Sequence, residues 1–291
     1  MRCRFCRNRA IIQTIEGKLC EDHFKEYLEK RVQKTIEKYK LFSKKDKILV
    51  AVSGGKDSST LAFILNKLGY NFEGLYINLE IKNYSDICEN FVKKLFRMIN
   101  KKLNIVKVSD FGVKIKGVGG RDVCSVCGIV KRYIMNKFAY ENSFDVLVTA
   151  HNLDDILSFI LLNALSGNLD LIYKSVPSLP KSSKFVKKVK PLCFVREKES
   201  LLYALLNKIP FAHIECPYAI GNTQNVYKRA IMYLESINPT STYNIYKTLL
   251  KMVKNKVKKE EITNFCKICG MPTNSEICSF CRLKKYFENE V

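Results

Sequence analysis

Five consecutive apolar residues, Ile48-Leu49-Val50-Ala51-Val52, lead without a break into Ser53-Gly54-Gly55-Lys56-Asp57-Ser58, and a helix-like stretch opens directly behind them. An unbroken aliphatic run of this length fits a strand buried on both faces, which belongs inside a parallel sheet flanked by helices. Gly54 and Gly55 permit close backbone approach to a ligand. The helix beginning near Asp57 aims unpaired N–H groups and a positive dipole end at an anion, and Lys56 adds a mobile cation beside it. The four-residue spacer and Gly-Lys-Ser/Thr ending of a Walker A loop are missing, so transfer of a terminal phosphate is not indicated. A ligand-free glycine turn is the plain alternative, and the match of six residues in strand-turn-helix order weighs against it.

The rest of the body repeats the same alternation. Strands are expected at 72–77, 104–108 and 145–149, and helices at 58–68, 86–101, 126–140, 155–165, 198–206 and 225–236. This order predicts an α/β fold, a doubly wound parallel sheet with its site at the carboxyl ends of the strands. Pro177 to Lys190 reads as an irregular basic loop, and Cys216 as part of a loop between a strand and a helix. Composition divides the chain into residues 1–30, a small Cys/His module; 31–255, the α/β body; and 256–291, a second cysteine module. At 291 residues with 47% apolar composition, a full core and small appendages are both within reach. No stretch approaches the roughly 18 apolar residues of a membrane span, and Met1-Arg2-Cys3 opens no signal-peptide core, so a cytoplasmic protein without membrane partners is expected.

In a reducing compartment the twelve cysteines read as metal ligands rather than disulfides. Cys3-x2-Cys6 and Cys20-x2-His23, 13 residues apart, form a structural zinc signature, and Cys266-x2-Cys269 with Cys278-x2-Cys281, eight residues apart, form an all-cysteine counterpart. Gly270 suits the turn after the first of those pairs. Cys124-x2-Cys127 has no second pair nearby. Cys216, in Glu215-Cys216-Pro217-Tyr218, could complete a three-thiolate set able to hold a [4Fe-4S] cluster with one iron open. A pair cycling through persulfide and disulfide, or zinc with a fourth ligand from elsewhere, are the competing readings. Cys88 and Cys193 stand at no motif spacing and read as small buried hydrophobes.

His151-Asn152-Leu153-Asp154-Asp155 opens an apolar helix at the end of a strand. Its carboxylates could be simple caps, or could hold Mg2+ on a nucleotide at the sheet's edge. His151 is either a polar loop residue or a substrate ligand, and Lys131 either a surface lysine or part of the same cleft. The formal charge of +22 falls to roughly +18 once thiolate metal sites are counted. Lysines crowd Lys93 to Lys116, Lys174 to Lys198 and Lys247 to Lys259, the last with six lysines and no acid. With Arg2, Arg4, Arg7, Arg9, Arg282, Lys284 and Lys285 around the cysteine modules, a nucleic-acid partner accounts for this better than a merely solvated surface.

Together these motifs resemble the PP-loop ATP pyrophosphatases, of adenine nucleotide alpha hydrolase-like fold, which split ATP between its α and β phosphates and leave the substrate adenylated. Within them the chain is similar over essentially its full length to the TtuA family of tRNA 2-thiouridine synthetases. The likeness rests on both cysteine modules, Ser53–Ser58, Cys124-Ser125-Val126-Cys127-Gly128, the helix Lys131-Arg132-Tyr133-Ile134-Met135-Asn136-Lys137, His151–Asp155 and Glu215–Ala219. His23, where the related wobble-uridine thiolases generally carry Cys, sides with the TtuA type.

The resemblance implies adenylation of the C2 oxygen of a tRNA uridine, then sulfur transfer, with release of AMP and pyrophosphate. It implies a non-redox, oxygen-sensitive [4Fe-4S] cluster on Cys124, Cys127 and Cys216, and catalytic roles for Lys131 and Asp155. It further implies contacts to ATP and Mg2+ from Ala51, Ser53, Gly54, Gly55, Lys56, Asp57, Ser58, Ile77 and Asp155, with one Zn2+ in each terminal module. Family partners are a ubiquitin-like sulfur carrier with a C-terminal thiocarboxylate, or inorganic sulfide as donor, and a second subunit of a homodimer. The family's target is the T-loop uridine, position 54. Wobble-uridine thiolation and TtcA-type cytidine thiolation share the motifs, and an ATP-regulated, zinc-containing RNA-binding protein is the reading from a different class.

Overall fold

The computed structural model describes residues 1–219, 223–238, 240–253 and 264–288. The last part of the Lys247–Lys259 run and the expected division at 255/256 lie outside the described residues. Near the N-terminus, β1 (Ile12–Thr14) and β2 (Gly17–Leu19) form an antiparallel hairpin between Cys6 and Cys20. Cys20 then caps α1 (Glu21–Lys38), whose first turn holds His23. Phe24, Tyr27, Leu28, Val32 and Ile36 recur at helical spacing and are buried in the main core. One helix thus runs from the first cysteine module into the body, through the expected division at residue 30.

Six strands form the central sheet: β3 (Ile48–Val52), β4 (Phe72–Asn78), β5 (Leu103–Lys107), β6 (Val146–Val148), β7 (Ser178–Leu179) and β8 (Lys187–Val189), in the order β5-β4-β3-β6-β8-β7. All neighbours pair in parallel except β7, which is antiparallel to β8. Side chains of β3 alternate between the two faces as strand geometry requires. Ile48, Val50 and Val52 enter the core beneath α1, α2 (Lys56–Lys67) and α3 (Ser85–Met98), while Leu49 joins Ala139 of α4 (Val123–Glu141) on the other face. Strand order reverses between β3 and β6. Their carboxyl ends therefore flank the switch point where α/β sheets bind ligands.

Beyond the sheet, α5 (Leu153–Leu165) and the short α6 (Leu169–Ile172) precede β7, and α7 (Glu197–Leu206) covers α2. α8 (Thr223–Ile237) and α9 (Ser241–Val253) join α5 around Ile156, Leu157, Ile231, Tyr243 and Tyr246. α10 (Ser279–Glu288) packs on α4, where Phe280 stacks on Tyr133 with ring centroids 3.7 Å apart.

Three expectations need correction. Pro177 to Lys190 is not irregular throughout, since it contains β7 and β8; the two lysines of β8 hide it from an apolar-run criterion, and it lies next to the edge. No strand lies between α7 and Cys216: Ile209, Phe211 and Ala212 are buried as an irregular segment, and the Ala212 N–H donates to the Gly54 carbonyl at 2.8 Å. α4 starts at Val123 rather than 126, because the Asp122 carboxylate accepts from the Ser125 N–H at 2.7 Å and caps it. Both Cys124 and Cys127 therefore sit in the opening turns of a helix.

Candidate active site

β3 delivers the chain to a turn in which Gly54 adopts a φ of +84°. A Cβ there would lie 2.8 Å from the Cys88 Cβ and 2.9 Å from its carbonyl oxygen, so only glycine fits. Gly55 caps α2 without any side-chain hydrogen bond to the helix N–H groups, which leaves that end available to an anion. The turn is braced from within: Ser58 Oγ donates to the Gly55 carbonyl at 3.0 Å and accepts from the Ser53 N–H at 3.1 Å.

Two neighbouring carboxylates at the start of α5 do different work. Asp154 is buried in an ion pair with Arg196, whose Nη2 lies 2.7 Å from Oδ1, and it accepts from the Glu197 N–H at 2.7 Å. Asp155 turns toward the loop. Its Oδ2 accepts from the Asn152 N–H at 3.2 Å, the Asn152 side chain accepts from the Asp155 N–H at 2.9 Å, and Oδ1 meets Lys228 Nζ at 2.6 Å. Asp155 is thus both a helix cap and a cleft carboxylate.

A cavity of about 560 Å³ at the sheet's carboxyl edge is lined by Ala51, Ser53, Gly55, Asp57, Ser58, Ile77, Lys131 and Asp155, with His151, Arg132 and Lys188 on the same wall. Gly54 and Lys56 are not part of that lining. Lys56 instead borders a larger cavity of about 760 Å³, where its Nζ meets Glu197 Oε1 at 2.6 Å and Asp57 Oδ2 at 3.1 Å. Burial, reinforced by Asp155 and Glu197, pushes the Asp57 carboxyl upward against the pull of Lys56. Its Oδ1 is buried with no hydrogen-bond partner. His151 opens on the cleft, yet the protein packed around its ring, helped by Lys190, Lys188 and Lys131, outweighs Asp155 and pushes its pKa down to about 4. It is neutral at pH 7. Lys188, crowded by the same wall and by Arg132, is lowered to about 8.

Cys124, Cys127 and Cys216 lie beside this cavity rather than in its lining. The Cys124 thiol donates to the Tyr218 carbonyl at 3.3 Å, which draws the Cys216 loop to the start of α4. Burial raises the Cys124 pKa, as do Asp122, Cys127 and Cys216, while Lys131 opposes them.

The terminal modules are tighter. Within each of the sets Cys3, Cys6, Cys20, His23 and Cys266, Cys269, Cys278, Cys281, the ligand atoms all lie within 4.8 Å of one another. Cys6 and Cys20 sulfurs are 3.6 Å apart, and Cys269 and Cys278 sulfurs 3.7 Å. Tetrahedral coordination at the usual zinc–sulfur length requires about 3.8 Å between thiolates. Both sets could hold a metal ion, and Gly270 turns the chain after Cys269 at a φ of +65°. Cys88 and Cys193 are buried in apolar clusters, and burial pushes the Cys193 thiol up to about 12.

Sequence reasoning missed Glu197, Lys228 and Lys188. Lys188 lines the 560 Å³ cavity from β8, whereas Glu197 on α7 and Lys228 on α8 border the 760 Å³ cavity and meet Lys56 and Asp155; none belongs to a local motif. The only signal at Glu197 is its place in the helix-opening run Arg196-Glu197-Lys198-Glu199.

Fold and cleft define a class: α/β enzymes that hold a nucleotide's phosphates on a glycine turn at the switch point of a parallel sheet. A family model described as PP-loop domain matches residues 24–239. A Pyrococcus horikoshii protein named tRNA-5-methyluridine(54) 2-sulfurtransferase is 46% identical, covering 97% of this chain and 93% of its own. A Thermotoga maritima protein of the same name is 42% identical over 99% and 97%. The U34-tRNA thiolase NcsA from Methanococcus maripaludis, solved with its [4Fe-4S] cluster, superposes with a TM-score of 0.84 at 27% identity, covering 98% of this chain and 96% of that one. The chain belongs to the PP-loop family, in its branch of tRNA 2-sulfurtransferases.

Proposed function

We propose that this chain is an ATP-dependent tRNA 2-sulfurtransferase that adenylates the C2 oxygen of a uridine, replaces it with sulfur, and releases AMP and pyrophosphate. The observation that carries the reading is the cavity shared by the glycine turn, Lys131 and Asp155, with Cys124, Cys127 and Cys216 beside it. The T-loop uridine at position 54 is the proposed target, supported by two relatives of that name aligned over nearly their whole length and by His23.

The N–H groups at the start of α2 and Lys56 bind the ATP phosphates. Asp57 and Asp155 fit Mg2+, a hard ion that takes carboxylate oxygens, and the orphaned Asp57 Oδ1 supplies a ligand atom with no competing donor. Lys131, on the cavity wall, stabilises negative charge as the uridine oxygen attacks the α phosphate and leaves again with AMP. Neutral His151, hydrogen-bonded to Thr149 Oγ1 at 2.9 Å, orients substrate without adding charge.

Cys124, Cys127 and Cys216 offer three thiolates, the donor set of a cluster with one iron left open, and the Cys124 thiol is bonded to the loop that carries Cys216. They would hold [4Fe-4S], which supplies an open iron for an incoming sulfur. Two Zn2+ in the terminal modules would staple 1–30 and 256–291 to the body at 31–255. A thiocarboxylated carrier or sulfide as donor, a homodimer, and a cytoplasmic setting that keeps the thiols reduced complete the reading.

No helix among the described residues is long and apolar enough to cross a membrane. Nucleoside mapping of tRNA from a strain lacking this protein tests the target: T-loop 2-thiouridine should vanish while wobble thiolation persists. Loss confined to the wobble position would contradict the assignment.

A further inference from the structure

Two lysines share one carboxylate in the 760 Å³ cavity, and their contacts reach Asp57 and Asp155 of the nucleotide cleft. Glu197 presents Oε1 to Lys56 Nζ at 2.6 Å and Oε2 to Lys228 Nζ at 3.0 Å. The network runs from Asp57 through Lys56, Glu197 and Lys228 to Asp155, and so ties the glycine turn to the start of α5.

Glu197 offers these lysines two anionic oxygens on one group, which is the pattern a pyrophosphate unit offers with more charge. An Mg2+ drawn to Asp155 would take from Lys228 its shorter contact, at 2.6 Å, and leave the ammonium in need of a new anion. The side chains of Glu197 and Lys228 remain 34% and 21% exposed, and both border the 760 Å³ cavity, so each has room to turn.

We propose that Lys228 is a second pyrophosphate-binding residue, which acts with Lys56 on the β and γ phosphates, and that Glu197 is the resident anion those phosphates displace. The inference rests on the nucleotide-cleaving reading above.

Calorimetric titration of the full chain with magnesium pyrophosphate, and separately with AMP, tests it on wild type, Lys228→Met and Glu197→Gln. Lys228→Met should weaken pyrophosphate binding at least tenfold and leave AMP binding within about twofold. Glu197→Gln should tighten pyrophosphate binding severalfold, since the competing anion is gone. Pyrophosphate binding by Lys228→Met within twofold of wild type would overturn the proposal. Equal loss of AMP and pyrophosphate binding would also overturn it, because the lysine would then support the cleft as a whole. Wild type that binds neither ligand would sink the nucleotide-cleaving reading itself, and the inference with it.

Discussion

Asp155 divides its two oxygens between a helix cap and the cleft, and the two roles separate on substitution. Asp155→Ala forfeits one reciprocal capping bond, worth about 1 kcal/mol. Its melting temperature should fall by only a few degrees, while thiolation falls by about a hundredfold or more, as expected for a lost electrostatic or acid–base group. Thermal melts beside a thiolation assay check both halves; near wild-type turnover would reduce Asp155 to a cap.

His151 gives a pH signature. Its folded pKa is lowered to about 4, below the unfolded value near 6.5, so the unfolded chain binds the proton first as pH falls. Stability from keeping this ring neutral is fully present above pH 6.5 and is lost as pH falls toward 4. His151→Gln should therefore melt progressively higher relative to wild type as pH drops through that window. A constant difference from pH 7 to 4 would contradict the lowered pKa.

At the scale of elements, β3, its turn and α2 were legible because their signals are contiguous: an unbroken apolar run, two glycines and a helix start. β8 was not, because two of its three residues are lysines and only its pairing with β6 makes it a strand. The cleft divides the same way. Asp57, Lys131 and Asp155 stand in recognisable local motifs, whereas Glu197 and Lys228 arrive from helices remote in sequence and announce nothing locally.

Two substitutions probe these junctions. Gly54→Ala meets both an unfavourable φ and the Cys88 backbone, and should cost more than about 1 kcal/mol while abolishing ATP binding. Phe280→Ala removes the ring stacked on Tyr133 between α10 and α4, at about 3 kcal/mol by the usual cost of emptying a buried aromatic site. Denaturant titration measures the loss. Iron content measured on the same variant should drop, because α4 carries Cys124 and Cys127.

The whole molecule is a nucleotide-splitting sheet with two compact cysteine modules and a strongly basic surface. Arg2, Arg4, Arg7, Arg9, Arg282 and Lys285 are exposed around those modules, where they can neutralise tRNA phosphates. Affinity for tRNA should fall steeply with salt, and replacing two of these arginines by glutamine should reduce the slope of log affinity against log salt by about 1 to 2. A slope unchanged by the replacements would move the RNA-binding surface elsewhere.

The glycine turn and the three cysteines serve one reaction. Its most direct test uses protein purified and reconstituted with iron and sulfide without oxygen, then supplied with ATP, Mg2+, tRNA and sulfide. AMP, pyrophosphate and 2-thiouridine should appear in step, and Cys216→Ala should lose both thiolation and part of the bound iron. Neither AMP nor thiolated nucleoside from the reconstituted protein would contradict it.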